Sequence, residues 1–282
     1  MPELPEVETV KRQLQKYVIG KKIAKVEVWK AKSFQGDPAQ ITNTIIQNVE
    51  RRSKILRISL GHHTNLLIHL KMSGQLIFDD GQVRVGGGHP TPDWIGSLPS
   101  KHTRVQLSFA DGSNLFFNDQ RIFGWIKVAS DEEVEQEFSP LAMDVIDDSI
   151  TPAYFWQKIH HRALPIKQLL MDNAIVAGVG NIYACDAFNE AKISPFRLAK
   201  TLSQAEVAKL LTAAKHVIRL GIELGGATTH GAYMNVEGMA GKYQTVCRVY
   251  NKKDQPCPNC GHPIQKQKLA GRGTYWCSHC QT

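Results

Sequence analysis

The chain has 282 residues, 42% of them hydrophobic, enough to build two cores and a small appended module. Its 34 basic residues outnumber its 26 acidic ones, so a net charge of +8 and a pI near 9.1 favour an anionic partner such as nucleic acid, ribosome or acidic lipid. No apolar run is long enough for a membrane span, and an acidic, proline-punctuated start is unlike a secretory signal, which predicts a cytoplasmic protein with no membrane partner. Four of the six cysteines cluster near the C-terminus, a poor fit to a disulfide framework and a good one to a reducing compartment.

Pro2, Glu3, Pro5 and Glu6 precede Val7, Val10 and Leu14, whose spacing predicts a helix that ends before Gly20. Proline and carboxylates at a helix start are ordinary capping chemistry. Pro2 would also expose, once Met1 is removed, a secondary amine with a pKa of about 7.7 to 8, nucleophilic in part at neutral pH. Short β-rich runs follow at 22–30, 55–60, 66–70, 75–79, 104–110 and 114–118, with Asp111-Gly112 as a hairpin signal between the last two. They predict a β-sandwich or flattened barrel over residues 1–130, carrying the N-terminal helix.

Residues 80–101, with Gly86-Gly87-Gly88 and Pro90, Pro92 and Pro99, read as a long mobile loop. Residues 131–150 read as an acidic linker. The pattern then turns helical, with helices predicted at 152–161, 166–171, 181–190 and 203–224 in a domain spanning 151–224; Ser203 and Glu206 form a capping box. Gly178-Val179-Gly180-Asn181 is a tight turn entering a helix, where free N–H groups can seat a phosphate, although Gly-x-Gly alone is weak evidence. The glycine-rich stretch 225–241 predicts a flexible loop within a connection that runs to residue 250.

The last segment, 251–282, carries the most specific chemistry. Cys257-x2-Cys260 and Cys277-x2-Cys280, sixteen residues apart, have the spacing of two knuckles around one tetrahedral zinc ion. A rubredoxin-like iron site or unrelated free thiols rank below zinc. With four cysteine ligands the ion is structural, and binding worth roughly 10 to 16 kcal/mol folds a module too small for a core of its own. Lys266, Lys268 and Arg272 lie between the knuckles, either a solvated basic face or a grip for phosphates.

The opening Pro-Glu-Leu-Pro-Glu-Val-Glu-Thr resembles that of the formamidopyrimidine-DNA glycosylase family. The likeness recurs, in the family's order, at His69-Leu70-Lys71-Met72-Ser73-Gly74, Lys101-His102, Asp119-Gln120-Arg121-Ile122-Phe123-Gly124, Met171-Asp172-Asn173 with 176–183, and the four-cysteine hairpin with Gly271-Arg272-Gly273. The resemblance implies an α+β multidomain protein: a β-sandwich with an N-terminal helix, a helix-two-turn-helix domain and a zinc β-hairpin. It also implies a monomer that acts on double-stranded DNA in base-excision repair, removing oxidised purines such as 8-oxoguanine and formamidopyrimidines and then cutting the strand.

Carried onto matching positions, the resemblance makes Pro2 the nucleophile that attacks C1′ and forms a Schiff base, the route to β,δ-elimination. Glu3 is the proton donor, Glu6 helps to position amine and sugar, Lys54 donates a proton in later steps, and Arg272 holds phosphate. His102, Arg121, Arg162 and Asn181 match DNA contacts, while Met72, Arg121 and Phe123 match a trio that fills the gap left by a flipped base. The chain departs from the pattern at Ile122, where many members have a basic residue, at Ser139-Pro140-Leu141, at Cys185-Asp186, in a long 80–101 segment and in the loosely matched 225–241. Two alternatives stand beside this reading. One is an endonuclease VIII-like glycosylase for oxidised pyrimidines, against which Leu4 argues; the other is a non-catalytic zinc-containing nucleic-acid binder.

Overall fold

A computed structural model describes residues 2–89, 91–227 and 241–282. The chain divides into two compact units, one of residues 1–139 with 222–244 and the other of 140–221 with 245–282.

In the first unit, helix α1 (Leu4–Tyr17) turns Val7, Val10 and Leu14 inward, all with no exposure, as their spacing predicts. Strands β1 (Ile23–Val28), β2 (Phe34–Gln35), β3 (Asn48–Arg52), β4 (Ile55–Gly61), β5 (Thr64–His69), β6 (Gly74–Asp79), β7 (Arg84–Gly88), β8 (Thr103–Phe109), β9 (Asn114–Asp119) and β10 (Trp125–Ser130) follow. They form two five-stranded sheets in the orders β1-β8-β9-β6-β7 and β2-β10-β5-β4-β3. Alternation along β8 buries Thr103, Val105, Leu107 and Phe109 while the residues between them stay partly exposed, the signature of a strand with one face on a core. That core joins α1 to both sheets through Val10, Leu14, Leu56, Ile58, Leu76, Phe78, Leu107 and Phe117, which makes the unit a sandwich with a helix packed on β7 and β3. The hairpin at Asp111-Gly112 forms as expected, with Gly112 at φ +89°.

Three segments differ from the sequence reading. Residues 80–101, anticipated as a mobile loop, carry edge strand β7 and a one-turn helix at Pro92–Trp94, position 90 lying outside the described residues. The glycines there serve close packing rather than looseness: a Cβ on Gly86 would lie 1.9 Å from the carbonyl oxygen of Leu76 in β6. The basic run before Lys54 belongs to β3, paired with β4 from Asn48↔Ser59 to Arg52↔Ile55. Within the anticipated linker, Asp131–Phe138 forms helix α2, opened by a reciprocal capping box between Ser130 and Glu133.

The second unit contains α3 (Pro152–Ile159), α4 (Ile166–Leu170), α5 (Asn181–Ala191) and the greater part of α6 (Gln204–Glu223), close to the predicted spans. Thr151 caps α3 by accepting the Tyr154 N–H at 3.1 Å, and Ser203 caps α6 by accepting that of Glu206 at 3.3 Å. Phe155, Leu170, Tyr183 and Phe188 are fully buried. Antiparallel strands β11 (Gln265–Leu269) and β12 (Arg272–Trp276) close the chain through a two-residue turn, Ala270-Gly271, with both φ angles positive.

Candidate active site and metal centre

The sandwich unit gathers most of the residues singled out for catalysis. Pro2 is buried ahead of α1, and Glu3 and Glu6 are 3% and 7% exposed. The Glu6 carboxylate is held by two backbone donors: it accepts the Glu3 N–H at 2.6 Å on one oxygen and the Ala227 N–H at 2.7 Å on the other. Gly226, at φ +85°, lies so close to that carboxylate that an added Cβ would meet Glu6 Oε1 at 2.8 Å. The expected 225–241 loop therefore begins at a fixed point on Glu6, while residues 228–240 lie outside the described residues.

Lys54 occupies the two-residue turn between β3 and β4, after Ser53 at φ +55°, and is only 7% exposed. Nearby, Glu8 of α1 meets Arg51 Nε at 3.0 Å and Lys11 at 2.8 Å. Burial opposes its charge, but those partners outweigh burial and bring its pKa down to about 2. This ion cluster clamps the helix to the hairpin that carries Lys54.

The Met72, Arg121 and Phe123 trio comes from two loops that one carboxylate holds together. Asp119, with no exposure, accepts the Ser73 hydroxyl at 2.5 Å and the backbone N–H groups of Arg121, Phe123 and Gly124 at 3.1, 2.8 and 2.6 Å. Ser73 Oγ in turn accepts the Arg121 N–H at 2.9 Å. Met72 and Phe123 stand 39% and 47% exposed, and the Arg121 guanidinium lies 4.8 Å from the Phe123 ring centre. Two apolar tips are thus held in water on a polar scaffold. Between them Ile122 sits at φ +57°, a conformation costly for a β-branched residue. His102 lies in the turn just before β8, with its Nδ1 2.8 Å from Asp93 Oδ2.

The second unit holds the remaining expected residues. Asn181 opens α5; its Nδ2 donates to the Gly273 carbonyl at 2.9 Å, and its Oδ1 accepts from Lys167 Nζ at 2.6 Å. Lys167, itself only 2% exposed, also reaches Thr274 Oγ1 at 2.8 Å and Cys185 Sγ at 3.5 Å. Arg272 begins β12 and, with Lys167, Gln168 and Met171, lines a cavity of about 230 Å³. Arg162 follows α3 on the surface. At the departure Cys185-Asp186, burial pushes the thiol pKa up, and the fully buried Asp186 carboxylate accepts the N–H groups of Arg248, Val249 and Tyr250 at 2.9, 2.9 and 3.2 Å. It anchors the strand-free stretch that leads into the cysteine module.

Cys257, Cys260, Cys277 and Cys280 bring their sulfurs within 4.8 Å of one another, with Cys257–Cys280 at 3.6 Å and Cys260–Cys277 at 3.5 Å. A tetrahedral zinc with bonds of about 2.3 Å separates its sulfurs by about 3.8 Å, so the donor set fits one structural Zn²⁺. Asn189 of α5 donates to Cys257 Sγ at 3.5 Å and to Gln281 Oε1 at 3.2 Å, while Gln281 also accepts the Cys277 N–H at 2.8 Å. These outer contacts orient the thiolates and fasten the hairpin to α5.

Sequence reasoning gave no role to Asp119, His69, Lys167 or Asp93. Asp119 and His69 lie inside motifs that carry the family resemblance, but nothing in a linear string shows that one carboxylate will collect donors from two loops. Lys167 carried no signal beyond a helical position, and Asp93 lay in a segment read as loop.

A small thiolate-bound hairpin fastened to a helical unit, in a chain that also folds a helix-capped sandwich, defines a multidomain zinc-finger protein. Family models narrow that class. Residues 1–126 match the formamidopyrimidine-DNA glycosylase N-terminal domain, residues 141–232 its H2TH domain, and residues 254–282 the zinc finger found in FPG and IleRS. The chain is 36% identical to the formamidopyrimidine-DNA glycosylase of Pelotomaculum thermopropionicum and 37% identical to that of Rickettsia bellii, each match covering 100% of this chain and 99% of the relative. Among solved structures, the Lactococcus lactis Fpg in complex with abasic-site DNA superposes with a TM-score of 0.88 at 30% identity, all of both chains being covered. The Thermus thermophilus MutM (FPG) protein gives 0.86 at 33% identity, with 99% of this chain and 98% of that one covered. This chain belongs to the formamidopyrimidine-DNA glycosylase family.

Proposed function

We propose that this protein is a bifunctional DNA glycosylase and abasic-site lyase of base-excision repair, acting on oxidised purines in duplex DNA. The observation that carries this reading is the start of α1, where Pro2 is buried beside two shielded carboxylates, one of them locked by two N–H donors. With Met1 removed, the Pro2 amine adds to C1′ as the damaged base leaves with its bonding electrons, Glu3 supplying the proton that opens the sugar. Loss of the proton on nitrogen to the medium and opening of the ring give an iminium, which acidifies C2′ and permits elimination of the 3′ and then the 5′ phosphate. Covalent capture divides one hard displacement into easier steps.

Glu6, fixed by Glu3 and Ala227, positions the amine, and Lys54 serves as proton donor during elimination. Arg272 holds phosphate as a fixed charge, since a guanidinium is a poor proton donor at neutral pH. His102, Arg121, Arg162 and Asn181 contact DNA, with Met72, Arg121 and Phe123 filling the space left by the flipped nucleotide. The zinc ion supplies no reaction chemistry; it folds the hairpin that presents Arg272. The DNA partner agrees with the Lactococcus lactis complexes, which contain abasic-site or Fapy-dG DNA.

Incision assays on matched duplexes test the reading. Duplexes with 8-oxoguanine opposite cytosine should be cut, while Pro2→Gly and Glu3→Gln variants should lose base release. Preferential cutting of an oxidised-pyrimidine duplex would favour the endonuclease VIII-like alternative, and binding without cutting of either would favour the non-catalytic one.

A further inference from the structure

The 80–101 segment ends in a built support for one side chain. Arg84 Nε donates to Asp79 Oδ2 at 2.7 Å and its Nη1 to the Gly96 carbonyl at 2.6 Å. Trp94 is 3% exposed, in a small core with Ile77 and Phe116 and with Leu98 at its edge. Held by that core, the one-turn helix Pro92–Trp94 presents Asp93. Thr91 Oγ1 accepts from Gln75 Nε2 of β6 at 3.0 Å and donates to Asp93 Oδ2 at 2.7 Å, and the same Oδ2 meets His102 Nδ1 at 2.8 Å. A hydrogen-bonded line thus runs from sheet to carboxylate to imidazole.

We propose that Asp93 is a positioning residue: its carboxylate accepts the Nδ1–H of His102 and fixes the ring so that Nε2 is the nitrogen offered to a DNA phosphate. This rests on the reading of His102 as a DNA contact. With Nδ1–H given to Asp93, Nε2 is the ring nitrogen left to face a phosphate, and it donates to one when the ring carries both protons. Lys101 precedes His102 in the chain, and Arg104 of β8 donates from Nη1 to the Lys101 carbonyl at 3.1 Å. Asp119 of β9 donates its N–H to the His102 carbonyl at 2.9 Å, while its carboxylate is engaged by the Met72 and Phe123 loops. The Asp93 carboxyl is itself held below its ordinary range; burial resists this, but the bonds from Thr91, His102 and Ser100 prevail.

Asp93→Asn, His102→Gln and the double variant test the idea with two readouts. In the free protein, long-range ¹H–¹⁵N spectra should show the His102 proton on Nδ1, and Asp93→Asn should shift the ring toward a mixed tautomer population. With duplex carrying a stable abasic analogue, Asp93→Asn should weaken binding about five- to tenfold, the scale of one charge-assisted hydrogen bond. In turnover it should raise KM far more than it lowers kcat, and it should add no weakening in the His102→Gln background. An unprotonated Nδ1 in wild type, or equal weakening by Asp93→Asn with and without His102, overturns the proposal. If His102→Gln binds duplex as tightly as wild type, the DNA-contact reading fails and the proposal falls with it, even where the spectra show the dyad.

Discussion

His69 should make the stability of the sandwich unit depend on pH in a way that one substitution removes. Its ring lies at the end of β5, 5.9 Å from the Trp125 ring, and its Nδ1 accepts the Lys71 N–H at 2.9 Å, which places the proton of the neutral ring on Nε2. Removal from water, followed by the positive charges of Lys71 and Lys54, lowers its pKa from 6.5 to about 3. The folded pKa lies below the unfolded one, so on acidification the unfolded chain takes up the proton first. The contribution is present in full above about pH 6.5 and is lost progressively as pH falls toward 3. At pH 5 the gap from 6.5 is about 1.5 units, which at about 1.36 kcal/mol per unit amounts to about 2 kcal/mol lost relative to neutral pH. His69→Asn keeps an acceptor near the Nδ1 position and removes the titration. Denaturant unfolding at pH 7 and pH 5, followed by tryptophan fluorescence, should show wild type losing about 2 kcal/mol more than the variant over that interval. A His69 resonance that titrates near pH 6.5, or equal losses in the two proteins, would refute the reasoning.

Asp119→Asn replaces one carboxylate oxygen by a donor facing N–H groups; it should destabilise the sandwich unit by about 3 kcal/mol in calorimetry and weaken binding to lesion duplex, because the Met72 and Phe123 loops lose their common anchor. Ile122→Lys should restore one phosphate contact, steepening the dependence of log affinity on log salt by about 0.9, and an unchanged slope would place residue 122 off the DNA path. Chelation of zinc, or Cys257→Ser, should abolish DNA binding while circular dichroism of the β signal persists, since the four thiolates hold only the hairpin and its seat on α5. Normal cleavage by metal-free protein would contradict this.

What could be read in the sequence was whatever depends on local spacing. The α1 face, the alternation in β8, the capping box at Ser203 and the paired cysteine knuckles each follow from periodicity or ligand geometry within a few residues. The elements that were missed depend on partners far along the chain. Strand β3 looked like a charged run because Arg51 is satisfied by Glu8 of α1, 43 residues earlier. The three glycines before Pro90 looked like slack because only the tertiary packing of β7 on β6 and α1 shows what a side chain would strike. The same holds for the site: Pro2, Glu3 and the cysteines announced themselves by motif, whereas Asp119 collects donors from two loops, one of them through Ser73, 46 residues earlier in the chain.

The central claim is that the Pro2 nitrogen bonds to deoxyribose during catalysis. Borohydride reduction of the protein with an 8-oxoguanine duplex, followed by proteolysis and mass mapping, tests it most directly. A stable adduct on the N-terminal peptide beginning at Pro2, absent from Pro2→Gly, is the expected result. Full strand cleavage with no trapped adduct, or an adduct mapped to a lysine such as Lys54, would contradict it.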